Sequence, residues 1–271
     1  MLWETPVANV AAGGRFDSNN RFGNTLVPRL ALTKVFDPFH VKLLFCKGFR
    51  PPGLGNLDYN PDVKPESTTA LEAELGYKIS DAAIVTANIF DITIDKPLLY
   101  TSAVNGTASY FNFARTGTTG AEVTLQGTLL GANVAASYSF YTAAGKNRVT
   151  DYEIPGHSDV LNGFPHHKVT LSAEAPLWKQ LRLGTTDTWL GERWSYTGQD
   201  SSGNLIGGRL PPILLASAFL DWRAVVRDVD LRVGIYNALN SRYLLPEPYD
   251  GYHPPLPAEP REVAVHASFR F

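Results

Sequence analysis

Long hydrophobic runs and cysteines are both scarce in this sequence. The longest apolar run, residues 213–220, is interrupted by Ser217 and falls far short of the ~20 residues that a membrane-spanning helix needs. A single cysteine, Cys46, stands among 271 residues, so the chain has no internal disulfide framework. These absences exclude a helical membrane protein and a disulfide-stapled scaffold. They do not exclude a β-barrel, whose strands carry only a weak hydropathy signal.

A targeting signal and an excess of charge are also missing. Residues 1–6, MLWETP, contain neither the basic region nor the apolar region of a signal peptide. An exported protein needs such an address, so we expect either a cytosolic protein or a natural start upstream of Met1. Basic and acidic residues nearly balance, 24 against 26, and therefore indicate no nucleic-acid partner.

What the sequence does contain is alternation with a period of two, which predicts β-strands. The clearest case is the carboxyl-terminal segment 262–271, where apolar residues occupy every second position up to Phe271. Such a strand at a chain end is typical of outer-membrane barrels, because lipid surrounds the outer face while the lumen is polar. Similar patterns predict twelve strands, at roughly 5–17, 24–36, 39–49, 66–79, 82–95, 107–130, 133–142, 165–176, 180–194, 212–224, 228–240 and 260–271.

Connections between the predicted strands alternate in length. Tight connections such as 37–38 and 80–81 take turns with longer loops rich in glycine, proline, asparagine and serine, such as 50–65 and 143–164. In an antiparallel meander every second connection lies on the same side, so one end carries short turns and the other carries long loops. We therefore predict an all-β fold, an antiparallel up-and-down transmembrane β-barrel with short periplasmic turns and long extracellular loops. No composition shift marks a second domain, so residues 1–271 are expected to form one barrel domain.

Several short motifs occur in a fixed order along the chain. They are Pro28-Arg-Leu-Ala-Leu32, Val41-Lys-Leu-Leu-Phe45, Phe49-Arg-Pro-Pro52, Asn60-Pro-Asp-Val-Lys-Pro-Glu66, Leu71-Glu-Ala-Glu-Leu-Gly-Tyr77, Thr119-Gly-Ala-Glu122, Asn237-Ala-Leu-Asn-Ser-Arg-Tyr243 and the terminal strand. This series resembles the carboxyl-terminal half of the barrel of TonB-dependent outer-membrane receptors. The resemblance implies structural roles for Phe49, Arg50, Pro52, Asn60, Pro61, Glu66, Glu122, Asn237 and Tyr243, and a barrel-assembly signal at Phe271.

The residue types at these positions suggest what each does physically. Arg50 and the prolines after it are expected at the top of a strand, where proline stiffens the exit into a loop. Glu66 is expected to open the descending strand that follows. Gly76 and Gly120 remove side chains where a barrel strand bends or another element approaches closely.

The resemblance implies a receptor in the outer membrane of a Gram-negative bacterium that imports scarce nutrients, such as ferric siderophores or cobalamin. Neither a cofactor nor an enzymatic step is implied. About twelve strands match, against 22 around the plugged lumen of a complete transporter. The resemblance therefore implies a partial, open barrel wall without the plug domain, the first half of the wall or the signal peptide. Implied partners are outer-membrane lipid, the barrel-assembly machinery and a small-molecule nutrient, with TonB engaged only through the missing plug region.

Aromatic residues in the predicted long loops are the candidates for ligand contact, because flat aromatic faces suit chelates. They are Tyr59, Trp194, Tyr196, Tyr249 and Tyr252. The alternative interpretation is that these side chains pack against loops or form a girdle at the membrane interface. Segment 53–59 contains no histidine like the one that ligates haem in the haem receptors of this family, which disfavours haem as the ligand.

Metal and catalytic sites are not predicted. A metal site needs three or four converging ligands, whereas the adjacent His166 and His167 point to opposite faces of a strand, with His157 and His253 elsewhere in the loops. The sequence also lacks a Gly-x-Ser-x-Gly elbow and a phosphate-binding glycine loop, so no catalytic residues are named.

Two other interpretations stay open. A self-closing twelve-stranded porin-like barrel would require its first strand, 7–17, to pair with the terminal strand. A soluble antiparallel binding module would instead bury the apolar face of 263–271. The DNA upstream of the Met1 codon would separate the three, since it would reveal a plug with further strands, a signal peptide, or neither.

Overall fold

The computed structural model describes residues 1–101, 104, 106–143, 145–202, 204–226, 228–246 and 254–269. In chain order, the elements of this part are β1 (Leu2–Glu4), β2 (Asn9–Asn19), β3 (Gly23–Phe36), β4 (Phe39–Arg50), α1 (Leu54–Tyr59), β5 (Glu66–Ser80), β6 (Ala83–Asp95), β7 (Leu98–Thr101), β8 (Ser109–Asn112), β9 (Arg115–Leu129), β10 (Ala132–Thr142), a 3₁₀ turn (Thr150–Tyr152), β11 (His167–Trp178), β12 (Leu181–Leu190), β13 (Arg193–Gln199), β14 (Leu205–Leu210), β15 (Ile213–Val226), β16 (Val229–Tyr236), β17 (Leu244–Leu245), β18 (Leu256–Pro257) and β19 (Glu262–Phe269). No helix in the described ranges is long and apolar enough to cross a membrane.

Thirteen of these strands form one antiparallel sheet in which neighbours in space follow one another along the chain. The order is β1-β2-β3-β4-β5-β6-β9-β10-β11-β12-β15-β16-β19. Twelve of them are the predicted strands, and the thirteenth is the three-residue β1, which pairs with the start of β2. The predicted all-β, up-and-down architecture is confirmed. Among the described residues β2 does not pair with β19, so the sheet is an open barrel wall and lacks the closure that a self-contained porin-like barrel requires.

Some predicted strand boundaries are wrong, and the backbone explains why. The strand predicted at 5–17 corresponds to β2, which begins at Asn9, because Pro6 has no N–H for a ladder and Thr5 Oγ1 instead donates to the carbonyl of Ala8. The strand predicted at 228–240 ends at Tyr236, because Asn237 adopts a left-handed φ of 45°.

Two further predicted strands divide where the chain leaves the sheet. Segment 107–130 is β8 followed by β9, and β8 pairs with β7 in a separate hairpin. Segment 180–194 stops at Leu190, and the chain continues into β13, which pairs with β14 in another hairpin. Local alternation cannot reveal this change, because a strand keeps its period of two whichever strand it pairs with.

Strand register gives the sheet one face of mainly apolar side chains, called the apolar face, and one of mainly polar side chains, called the polar face. On β9, Val123 pairs with Ala87 of β6 and Tyr138 of β10, while its neighbour Glu122 pairs with Ser139. Side chains of directly paired residues lie on the same face, so apolar rows and polar rows run separately across the strands. The alternation predicted for β9 is therefore confirmed.

The apolar face of the sheet is uncovered. Phe16, Ile89, Val265 and Phe269 are each more than 60% exposed, although they lie in regular strands. Burying such side chains is worth roughly 1.5–3 kcal/mol each, so the exposed face requires an apolar environment that this chain does not provide for itself.

Most of the buried apolar residues in the described ranges lie away from the wall, among the long connections. Ala143, Val149, Ile154 and Leu210 are at most 3% exposed, and all four belong to loops or to the small hairpins. The loops therefore pack into a defined body that can position side chains.

Candidate functional site at the loop end

All the long connections leave the sheet at one end, which we call the loop end. They are 51–65, 96–114, 143–166, 191–212 and 237–261, and the three-residue connection 20–22 lies at the same end. Connections 37–38, 81–82, 130–131, 179–180 and 227–228 form the opposite, short-turn end. This asymmetry was predicted from the loop lengths. It brings residues that are far apart in sequence into three neighbouring groups.

The first group is a tyrosine cluster made of Tyr59, Tyr100 and Tyr110. Tyr59 ends α1, whereas Tyr100 and Tyr110 come from the β7–β8 hairpin. The three rings meet edge to face, with centroid separations of 5.6 Å, 5.9 Å and 5.1 Å. Tyr59 is 59% exposed, so the cluster presents aromatic surface at the loop end. Tyr59 was predicted as a ligand-contact residue, but its two partners were not.

Asparagine side chains hold this cluster together. Asn60 Nδ2 donates to the carbonyl of Tyr110 at 2.7 Å. Asn112 accepts from the Lys64 backbone N–H at 2.6 Å and donates to the Lys64 and Lys96 carbonyls at 2.9 and 2.8 Å. An amide is well suited to this role, because it carries both an acceptor and two donors.

An ion pair joins the loop-end termini of β4 and β5. Arg50, the last residue of β4, faces Glu66, the first residue of β5, through two contacts of 2.7 and 2.8 Å. Glu66 also accepts from the Leu98 backbone N–H at 3.2 Å. Three other motif residues lie nearby: Phe49 pairs with Ser67, Pro52 is buried and the Pro61 carbonyl accepts from Arg21.

The second group joins β13 to the connection 143–166. Trp194 stacks on His157, with ring centroids 3.6 Å apart and planes at 27°. Tyr196 donates its hydroxyl to the carbonyl of Glu153 at 2.5 Å. A polar cavity of about 460 Å³ lies beside Tyr196, with Arg148 and Glu153 among its lining residues. Both predicted ligand-contact residues therefore also pack against a loop, and ligand contact by them stays a prediction.

The third group surrounds Arg193 on the opposite face of β13. The turn of Asn237-Ala-Leu-Asn-Ser-Arg-Tyr243 forms one wall: Asn237 Nδ2 donates to the Ser241 carbonyl at 3.0 Å, and Asn237 Oδ1 accepts from the Ser241 N–H at 2.8 Å. Between this turn and the β13–β14 hairpin is a cavity of about 550 Å³, lined by Arg193 and Tyr243 among others. Burial lowers the pKa of the Arg193 guanidinium from its ordinary value.

Comparison with known proteins decides the family. Residues 3–238 match the family model described as TonB dependent receptor-like, beta-barrel. The chain belongs to this family. The order of strands and the long loops at one end match part of a TonB-dependent receptor barrel, and the resemblance drawn from the motifs is confirmed.

Solved TonB-dependent receptors share the fold at low identity. The siderophore receptor PirA from Acinetobacter baumannii superposes with a TM-score of 0.78 at 15% identity, over 97% of this chain and 43% of that one. A G324V mutant of the ferric enterobactin receptor PfeA from Pseudomonas aeruginosa gives 0.77 at 17%, over 98% and 43%. The ferric-catecholate import receptor Fiu from E. coli K12 gives 0.67 at 21%, over 92% and 35%. The chain thus spans less than half the length of each.

A short match to an unrelated protein carries no weight. Eighty-seven residues are 36% identical to human centromere protein C, but the match covers 28% of this chain and 9% of that protein. A match this short supports no conclusion about fold or function, whereas the family model spans most of the chain.

The remaining predicted residues of this TonB-dependent barrel are placed as follows. Glu122 lies on the polar face and accepts from Ser139 Oγ at 3.3 Å. The ring of His167 contacts Tyr138 Oη at 2.7 Å, while His166 lies near Asp159, and no group of three metal-ligating side chains occurs in the described ranges. Tyr249, Tyr252, His253 and Phe271 fall outside the described residues.

Sequence reasoning missed Tyr100, Tyr110, Asn112 and Arg193. Tyr110 and Asn112 lie in segment 107–130, which was predicted as one strand, so their place in a loop hairpin was hidden, whereas Tyr100 lies in the predicted loop between 95 and 107 and could have been chosen as a loop aromatic. No sequence signal sets Arg193 apart, since its neighbours Glu192 and Trp194 suggest an ordinary exposed strand end.

Proposed function

We propose that this chain supplies barrel wall and loops to an outer-membrane receptor that imports ferric siderophores. The observation that carries the proposal is the family match over residues 3–238. Structural neighbours whose names refer to ferric enterobactin, ferric catecholates and ferripyoverdine support iron chelates as the ligand class. Transport in this proposal is binding and passage, with no catalytic step.

The uncovered apolar face supports a place in the membrane. Trp222 pairs with Leu181 near the short-turn end, and Trp189 lies eight residues further along β12 on the same face. At ~3.3 Å per residue, this separation is about 26 Å along the strand, which is roughly 20 Å along the membrane normal at the ~35–45° tilt of such strands. Outer-membrane barrels carry an apolar band ~25 Å tall between two aromatic girdles. We propose that these tryptophans mark the two interfaces, with the loop end extracellular.

The tyrosine cluster is the proposed first contact for the ligand. Its rings lie at the loop end and are carried by α1 and the β7–β8 hairpin. Hydrogen bonds from Asn60 and Asn112 fix these two segments. Trp194 and Tyr196 are proposed as further contacts, with Tyr249 and Tyr252 on the connection 237–261. Aromatic faces complement planar chelating groups.

Energy coupling lies outside these residues. We propose that residues 1–271 are a single barrel portion, folded with the help of the barrel-assembly machinery, and that TonB acts through a plug that this chain does not contain. The polar face, which includes Glu122 and the ion pair of Asp221 with Arg232, would then line the lumen around that plug.

Uptake assays test the ligand class. The gene is deleted in the bacterium that carries it, and uptake of ⁵⁵Fe bound to catecholate, hydroxamate and carboxylate siderophores is measured beside ⁵⁷Co-cobalamin. We expect loss of uptake for one siderophore class and its restoration by the wild-type gene. Unchanged iron uptake together with loss of cobalamin uptake would reassign the ligand, and no change in any nutrient would reject the import function.

Variants of the cluster test the proposed contact surface. Tyr59→Ala combined with Tyr110→Ala should raise the half-saturating concentration of that siderophore roughly tenfold, because aromatic contacts contribute about 0.5–1.5 kcal/mol beyond their buried area. Tyr77→Ala, at the short-turn end, removes the same side chain far from the loops and should leave it unchanged. Equal effects of the two changes would show that the tyrosines act through folding.

A further inference from the structure

The cavity beside Arg193 has the composition of a binding site for a small molecule. Its wall is largely apolar, with Leu210, Pro211 and Ile213 on one side and Pro257 and Pro260 on the other. Its volume of about 550 Å³ falls within the ~300–1,000 Å³ typical of small-ligand pockets. A mostly apolar cleft with few polar groups is the usual form of such pockets.

Arg193 is the buried charged group of this cavity, whose lining also includes Arg242, and among the described residues Arg193 has almost no partners. The residue is 4% exposed. Its Nη2 makes one long contact, 3.5 Å to the carbonyl of Leu244, and its Nε has no hydrogen-bond partner among the described residues. A buried cation without a counter-charge is costly, and the described residues supply none to this guanidinium, which is therefore suited to pair with an anion.

Other arginines show what is missing at Arg193. Arg50, Arg209 and Arg232 each face a carboxylate, on Glu66, Glu192 and Asp221 respectively. These three arginines are more exposed than Arg193, so water could solvate their charge, and each still has a carboxylate partner. Within the part of the chain that the structure describes, no carboxylate pairs with Arg193.

We propose that this cavity binds a small carboxylate with an apolar body, whose charge pairs with the guanidinium of Arg193. The planar guanidinium matches a carboxylate through two parallel hydrogen bonds. The leucine, isoleucine and proline wall accommodates a ring or short hydrocarbon, and the phosphate probe below tests whether Arg242, also in the lining, favours a more highly charged anion. Tyr243 adds a ring to the same wall. This site stands on binding alone and does not depend on the proposed import function.

Calorimetry on the whole chain in detergent micelles tests the charge and the apolar body separately. The probes are benzoate, benzamide, acetate and inorganic phosphate. Benzoate should bind at least roughly tenfold more tightly than benzamide, which lacks the charge, and than acetate or phosphate, which lack the ring. Equal affinity for benzoate and benzamide, or no benzoate binding, would overturn the proposal.

Matched variants assign the binding to Arg193. Arg193→Met should reduce benzoate affinity roughly tenfold or more, and Arg193→Lys by less, because lysine keeps the charge without the planar fork. Arg209→Met removes an arginine from the same hairpin, outside the cavity lining, and should leave affinity unchanged. Ala258→Trp places a large ring in the cavity lining and should abolish binding with Arg193 intact. Benzoate binding that survives Arg193→Met and Ala258→Trp in folded protein would place the site elsewhere.

Discussion

Gly120 lies where two neighbouring groups leave no room for a side chain. A Cβ built there would be 2.3 Å from the Phe140 carbonyl oxygen and 2.5 Å from the Phe90 ring. The carbonyl belongs to the ladder between β9 and β10 and cannot move cheaply, so the expected close approach at this glycine is what the structure shows. Gly120→Ala should lower the free energy of unfolding by about 1–3 kcal/mol.

Gly13 provides the control for this change. It is also a strand glycine, but a Cβ there would meet nothing within 4 Å. Gly13→Ala should alter stability by less than ~0.5 kcal/mol. The measurement is the urea midpoint of the protein refolded into lipid vesicles, followed by circular dichroism. Similar midpoints for the two variants would contradict the steric account.

Asp81 gives a pH-dependent prediction in a short turn. A hydrogen bond from Lys78, 2.5 Å away, holds the pKa of the Asp81 carboxyl below its ordinary value of 3.8. A folded pKa below the unfolded one adds stability above pH 3.8, and this is lost as the pH falls through the folded pKa. Asp81 is almost fully exposed and Lys78 about half exposed, so the gain is small.

Carbon-13 NMR titration of the Asp81 carboxyl checks this assignment. Lys78→Met should raise the midpoint toward 3.8, whereas Lys34→Met, whose lysine donates to the Pro6 carbonyl, should leave it in place. A midpoint that is unaffected by Lys78→Met would assign the lowered pKa to another group.

At the scale of elements, Asn112 joins the β7–β8 hairpin to the connection that contains α1. Its three hydrogen bonds to Lys64 and Lys96 are each worth about 0.5–1.5 kcal/mol net. Asn112→Ala should therefore release the two segments from each other and raise their proteolysis rate at least tenfold while leaving the sheet intact. Asn56→Ala, which removes a single bond to the Gly53 N–H, should have a smaller effect. Equal protease sensitivity of the two variants would show that Asn112 is not the main link.

The ion pair between Arg50 and Glu66 joins two adjacent strand tops. Arg50 is largely exposed, whereas Glu66 is 16% exposed and also accepts from Leu98. A double-mutant cycle with Arg50→Met and Glu66→Gln should give a coupling free energy of about 0.5–1 kcal/mol, at the upper end for partly exposed pairs. Urea unfolding of the four proteins measures it, and additive effects would mean that the pair contributes nothing.

Sequence patterns predicted the elements well where pairing is between chain neighbours. β4 and β5 begin and end within two residues of prediction, because their alternation, the prolines after Arg50 and the short turn at 37–38 are all local signals. The hairpins β7–β8 and β13–β14 were not predicted, because a strand pattern does not state which strand is its partner.

At the scale of the whole molecule, the tryptophans test which face contacts lipid. Trp178, Trp189 and Trp222 are on or beside the apolar face, whereas Trp194 stacks on His157 at the loop end. Single-tryptophan variants reconstituted with brominated lipids should show quenching of the first three, strongest for bromines near the headgroups, and little quenching of Trp194. Unquenched Trp189 and Trp222 would contradict the membrane placement and favour a soluble module.

The open sheet also requires a partner along its edges. Strand β1 covers only Asn9, Val10 and Ala11 of β2, and among the described residues β19 pairs on one side alone. Unpaired backbone groups are costly in lipid. Under the proposed function, further strands of a TonB-dependent barrel would cover these edges, and the predicted extent of one domain, 1–271, stays a prediction.

The sequence by itself determined the antiparallel wall, its two faces and the end that carries the loops. Each of these depends on a period of two or on connection length, which are local properties of the chain. The tertiary structure alone decided which loop residues meet. Asn60 bonds to Tyr110, 50 positions away, and Arg193 contacts Leu244, 51 positions away. Such contacts depend on where the sheet delivers each loop, so the tyrosine cluster and the Arg193 cavity exist only once the wall has formed.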